Sequence, residues 1–177
     1  MSSAKTCGTC TLCCKVMGIK DIAKPVGEWC PHCSPGVGCG LYPAHPSSCK
    51  HFACLWLEST DLPDSYRPDR TKVVLLNDQE SGRLIAHCDP NVPAPWRREP
   101  IYPLLMAAAS TRWATGGLVI AVSGSTQWLI TATDDLDMGR IDAGIPIASG
   151  KHRTANSCSP CLCTPTASNR RTSLSEC

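Results

Sequence analysis

The clearest pattern of apolar and polar positions lies in the second half of the chain. Thr71–Leu76 (TKVVLL) reads as a buried strand and Arg83–Cys88 (RLIAHC) as its partner, with the turn-forming Asn77–Gly82 (NDQESG) as the hairpin loop between them. Asp89–Pro95 is a Pro-rich turn. Pro100 can open a helix, with Pro103 in the same first turn. Tyr102–Ala114 holds good helix formers and an apolar face at Leu105, Ala108, Ala109 and Trp113, and Gly116–Gly117 stops it. Leu118–Ser123 and Thr126–Thr131 predict a second hairpin across Gly124–Ser125, and Met138–Ile147 a short closing strand.

The first third has no such periodicity. Gly and Pro punctuate residues 7–57, favouring turns over long elements, and Lys15–Lys24 suits one or two helical turns. Asp61–Arg70 is a polar connector. Ser149–Cys177 is rich in Ser and Thr with few apolar residues, the composition of a disordered tail. The expected fold class is α+β. A small irregular cysteine-rich metal-binding region (1–60) precedes a ββαββ antiparallel-sheet region packed on it (61–148) and a disordered tail (149–177).

Cysteine usage changes the picture most. Nine of the 14 cysteines fall in the first 54 residues: Cys7, Cys10, Cys13, Cys14, Cys30, Cys33, Cys39, Cys49 and Cys54. Such density means that a covalent or metal framework replaces part of a core. The start, MSSAKTCGTCTLCC, lacks the charged-then-apolar pattern of a secretory signal, and the longest apolar runs, Leu104–Ala109 and Leu118–Val122, are too short to span a bilayer. A cytoplasmic chain keeps its thiols reduced, so metal is favoured over disulfides. A disulfide-stabilised interaction module is the remaining option and would need export.

A C-x2-C pair works because a two-residue turn aims both sulfurs at one point, and two pairs close a tetrahedral zinc site. Cys7/Cys10 and Cys30/Cys33 are separated by 19 residues, a zinc-ribbon spacing, and Cys10/Cys13 fits equally well. Nine thiols exceed one ion's needs, so two ions or a polynuclear cluster stay open. Cys7-x2-Cys10-x2-Cys13 also matches the first three ligands of a ferredoxin-type iron–sulfur run, although Met17 stands where the fourth cysteine would be and Cys30 would have to close the cluster. Adjacent Cys13 and Cys14 are expected to point in different directions. His32, His45 and His51 are read as solvated or hydrogen-bonding side chains, and His87–Asp89 as a packed strand end.

Other chemistry is thin. No G-x-S-x-G, H-E-x-x-H or P-loop is present, so no catalytic set exists apart from the cysteines. Asp134, Asp135 and Asp137 read as a solvated acidic turn. The net charge of +2 and the few lysines of the cysteine region point to neither nucleic acid nor a membrane surface, and no protein partner is named by any motif.

The run Cys10-x2-Cys13-Cys14, then Cys33…Gly38-Cys39-Gly40-Leu41-Tyr42-Pro43-Ala44-His45-Pro46-x2-Cys49-x2-Phe52-x-Cys54-x-Trp56-Leu57, resembles the bacterial YkgJ-like cysteine-cluster family, described as zinc- or iron-chelating. The resemblance covers about residues 7–57, and Tyr66–Arg70 looks like the extension of one branch. It implies Cys10, Cys13, Cys14, Cys33, Cys39, Cys49 and Cys54 as ligands, with Tyr42, Phe52 and Trp56 packed over the site. Cys7 and Cys30 join from spacing alone. His45 stands where the family usually has Arg, and the tail thiols Cys158, Cys161, Cys163 and Cys177 have no counterpart. The expected function is metal binding, by zinc or iron, in a structural or metal-handling role. The alternative is an iron–sulfur protein with redox or enzymatic activity.

Overall fold

The computed structural model describes residues 5–140. The expected tail at 149–177 lies outside them.

The cysteine region is built from turns. Its elements are α1 (Cys13–Val16), a 3-10 turn at Lys20–Ile22, a two-residue ribbon of β1 (Cys33–Ser34) and β2 (Gly38–Cys39), α2 (Ser47–Lys50) and α3 (Leu55–Glu58). After a 3-10 turn at Asp64–Tyr66 comes α4 (Pro68–Thr71). Pro at its first position and a left-handed Lys72 (φ 62°) confine this helix to one turn. The strand expected from Thr71 therefore begins at Val73.

A five-stranded sheet follows, from β3 (Val73–Asp78), β4 (Arg83–Cys88), β5 (Val119–Ser123), β6 (Thr126–Ile130) and β7 (Asp135–Arg140), in that order. Between β4 and β5 runs α5 (Ile101–Trp113). Asp78 tightens the β3–β4 loop by accepting from Glu80 N–H and Ser81 Oγ–H, and Gly82 takes the left-handed φ (68°) that the turn requires.

Two expectations need correction. The sheet is mixed, because β4 and β5 run parallel, with Leu84 opposite Val119 and Cys88 opposite Ser123. Residues 89–118 carry a helix between those strands, and a helical crossover returns the chain to the same end of the sheet, where a short loop would reverse it. The closing strand begins at Asp135, earlier than Met138, and residues 141–147 fall outside the described range. Asp135 is thus the first residue of an edge strand rather than part of a solvated loop. Its carboxylate accepts from Arg97 (2.5 Å) and from the Tyr102 hydroxyl (2.9 Å).

Alternation along the strands sorts the core into two faces. Val73, Leu75, Leu84, Ala86, Cys88, Val119, Ala121 and Ile130 pack with Trp96 and with Ile101, Leu105 and Ala109 of α5. Val74, between Val73 and Leu75, turns the other way and packs with Leu12, Val16, Cys54 and Trp56. The cysteine region is therefore seated on β3, opposite the helix. A buried ion pair adds a second attachment at the end of β4, where Lys15 Nζ lies 2.6 Å from Asp89 Oδ1. Trp113, expected on the apolar face of α5, is 68 % exposed.

His87 lies on β4 between Val74 and Val122 of the neighbouring strands, and burial pushes its imidazole down from 6.5 to about 4. The unfolded chain takes up that proton more readily, so this contribution to stability is complete above pH 6.5 and is lost as pH falls toward 4. The linkage amounts to about 2 kcal/mol at about pH 5. Urea midpoints measured across that range should fall less in His87→Leu than in the parent; equal falls would place the acid sensitivity elsewhere.

Candidate metal centre

The chain folds its cysteines inward through a series of local turns. Cys10 N–H donates to Cys7 O (2.9 Å), and Arg67 clamps that turn by donating to Cys7 O and Thr9 Oγ1. Cys13 and Cys14 open α1. Cys30 N–H donates to Cys14 O (3.0 Å) and Cys33 N–H to Cys30 O (3.0 Å), which lays the second C-x2-C turn against the first. Cross-strand pairing sets Cys33 opposite Cys39, and Gly36 N–H donates to Thr11 Oγ1, tying that ribbon to the turn that leads into α1. Cys49 rides on α2, which is held to the Lys20–Ile22 turn by Ser48 donating N–H and Oγ–H to Asp21. Cys54 immediately precedes α3.

These turns enclose a cavity of about 800 Å³ whose wall includes Cys7, Cys10, Cys13, Cys14, Cys30, Cys39, Cys49 and Cys54. Cys33 joins them through Cys14, whose thiol lies within hydrogen-bonding reach of both Cys13 and Cys33. Cys13 and Cys14 both line the cavity. The ten cysteines in the described range, including Cys88, are free thiols.

The electrostatics are those of crowded thiols. Burial, then Cys54, Cys10 and Cys14, raise the Cys7 thiol above its ordinary value. Burial, Cys14 and Cys30 push Cys33 up to about 12, and burial with Cys14, Cys30 and Cys39 raises Cys49. The Cys14 thiol is raised first by its hydrogen bonding with Cys13 and then by burial. Each additional thiolate in this low-dielectric space is repelled by the others. A cation inside the ring would reverse that sign and displace the protons.

Protein cations already face part of the ring. Lys24 is buried, donates to the carbonyls of Lys15 (2.8 Å) and Met17, and lies close enough to Cys30, Cys14 and Cys13 to feel their charge. Cys54 receives hydrogen bonds from the backbone N–H groups of Trp56 and Leu57, although burial outweighs them and its thiol is raised. Phe52 and Trp56 line the cavity, and Tyr42 stands at it, itself 76 % exposed.

Soft, deprotonatable sulfur suits zinc, iron and iron–sulfur groups, so the donor chemistry fits. The sulfurs converge without being preset: among the described residues no group of three or more His, Cys, Asp or Glu is arranged to hold an ion. Ligation would require thiols to change rotamer or their short turns to draw in.

The histidines separate. His32 and His45 line the cavity, whereas His51 is exposed with its Nδ1 2.9 Å from Ser47 O. Two buried polar atoms of the lining residues, His45 Nδ1 and Trp56 Nε1, have no hydrogen-bond partner. Elsewhere, Cys88 is core and Asp89 is taken by Lys15, so the end of β4 is packed structure. Lys24 and Arg67 escaped the sequence reading because nothing in the local sequence shows that a lysine ten residues past Cys14, or an arginine sixty past Cys7, returns to those thiols. No helix of the described residues is long and apolar enough to cross a membrane. Compared with protein-family models, curated proteins and solved structures, the chain has no significant match.

Proposed function

We propose that this chain is a thiolate metal-binding protein, holding zinc or iron among Cys7, Cys10, Cys13, Cys14, Cys30, Cys33, Cys39, Cys49 and Cys54 in a structural or metal-handling role. One observation carries the reading: cysteines spread over 48 positions, from Cys7 to Cys54, converge on a single cavity as free thiols. A core of ordinary packing has no use for so many small polarizable groups whose charged forms repel one another. The motif resemblance to the YkgJ-like family, which rests on residues 7–57 alone, belongs to this proposal, and so does a reducing, cytoplasmic setting.

A second reading, an iron–sulfur cluster with redox or enzymatic activity, is favoured by the surplus of thiols around a cavity of about 800 Å³, more than a single tetrahedral ion requires. Metal analysis with a visible spectrum, on protein purified without oxygen, distinguishes the two. Zinc at one or two per chain with no visible band supports the first, and iron with acid-labile sulfide and a broad brown absorption supports the second. Protein that carries no metal and takes up neither zinc nor iron when reduced would sink both.

A further inference from the structure

The geometry points to His45 as a nitrogen ligand, through Nδ1, of the metal proposed above, an inference that rests on that reading. The motive is an unpaired atom in a particular place. His45 Nδ1 is buried without a hydrogen-bond partner. Buried ring nitrogens are normally paired, because leaving one unmade forfeits the hydration it would have in water. His51, six residues on, has found such a partner in Ser47 O.

His45 is also flanked by sulfur. It lines the same cavity as Cys39 and Cys49. Tyr42 N–H donates to Cys39 O (3.2 Å) on one side of it and Cys49 N–H to Pro46 O (3.0 Å) on the other, so the segment bearing His45 is braced at both ends by turns that carry thiols. The ring is stacked on Tyr42, with centroids 5.4 Å apart and planes 13° from parallel. Stacking restricts rotation of the imidazole, so ligation would cost less ordering than for a free surface histidine. With its proton on Nε2, the neutral ring offers a lone pair at Nδ1, and mixed cysteine–histidine spheres are a common zinc arrangement.

The sphere would then contain thiolates of the cavity wall and one imidazole in place of sulfur alone.

X-ray absorption at the zinc edge, on reduced full-length protein loaded with zinc, tests this directly. The parent should show imidazole nitrogen at about 2.0–2.1 Å beside sulfur at about 2.3 Å. His45→Gln should lose the imidazole signal and bind zinc at least an order of magnitude more weakly in competition with a chelator. His45→Cys should give an all-sulfur sphere with affinity regained, and His32→Gln should keep the imidazole. His45 belongs to neither core cluster, so the circular dichroism of metal-free His45→Gln should match the parent. An all-sulfur sphere in the parent, or imidazole persisting in His45→Gln, overturns the inference while leaving metal binding intact. Failure of the parent to bind zinc or iron overturns the metal reading and this inference with it. If His45→Gln does not fold, the parent's own spectrum still decides between imidazole and sulfur alone.

Discussion

Replacing Lys15 with methionine should destabilise the chain by about 3–5 kcal/mol, because it strands a buried carboxylate. Lys15 and Asp89 are 6 % and 7 % exposed, with Nζ 2.6 Å from Oδ1. Without the ammonium, Asp89 keeps as a hydrogen-bond donor to its carboxylate, among the described residues, only the Asn91 N–H at 3.0 Å. Methionine retains the apolar stem, so the loss reports the charge and not a cavity. Urea unfolding at constant slope measures it. The double variant Lys15→Met/Asp89→Asn should recover part of the loss, since the stranded charge is then gone, and the non-additivity gives the coupling of the pair. A change below about 0.5 kcal/mol would mean that water reaches the pair and that it behaves as a surface bridge. The pair also joins α1 to the residue following β4, so Lys15→Met should speed amide exchange in the cysteine region more than in the sheet.

That attachment was invisible in the sequence, and its invisibility is instructive. Strands β3 to β6 and helix α5 announce themselves because their signals are local: VVLL and LIA flank a loop of turn formers, and Gly116–Gly117 ends a run of good helix formers. Which strands lie side by side is not local. Nothing within Arg83–Cys88 or Leu118–Ser123 says that the two are neighbours and parallel. That follows from the helix crossing between them. Strand β7 carries almost no periodic signal, because every residue after its first, Asp135, is exposed. It pairs with the edge of β6 and is anchored by Arg97 and Tyr102 binding Asp135. A carboxylate that looks solvated in sequence is therefore a structural contact.

The candidate site divides in the same way. The C-x2-C turns are legible, because two intervening residues dictate the turn that brings sulfurs together, and the backbone bonds Cys10–Cys7 and Cys33–Cys30 are those turns. The partners that arrive from elsewhere are not. Arg67 reaches the Cys7 turn from across the connector, and Lys24 approaches Cys13, Cys14 and Cys30 after the chain has doubled back through the Ile19–Lys24 bridge. His45 and His51 look equivalent as letters; burial of one Nδ1 and the satisfaction of the other separate them.

Removing the proposed metal should unfold residues 7–57 and leave the sheet standing. The two parts draw on different sources of stability. The sheet and α5 share a cluster of twelve buried residues that includes Trp96, Ile101 and Leu105. The cysteine region has no helix or ribbon strand longer than four residues, and its buried apolar side chains, such as Leu12, Val16, Ile19 and Trp56, are few for the chain they must order. Its thiols also resist ionisation while they crowd one another, so the proton-bearing form gains little from proximity. Metal ligation supplies on the order of 10 kcal/mol or more in structural thiolate sites, enough to reverse that balance. Hydrogen exchange read by mass spectrometry, before and after a chelator strips the reduced protein, should show protection lost across 7–57 and retained in β4, β5 and β6. β3 would exchange somewhat faster, because Val74 loses its cover. Returning zinc should restore the pattern. Complete metal removal with protection in 7–57 unchanged would show that the fold does not depend on the ion, which excludes the structural role and leaves metal handling. Loss of protection everywhere at once would mean instead that the Val74 contact and the Lys15–Asp89 pair bind the two parts into one cooperative unit.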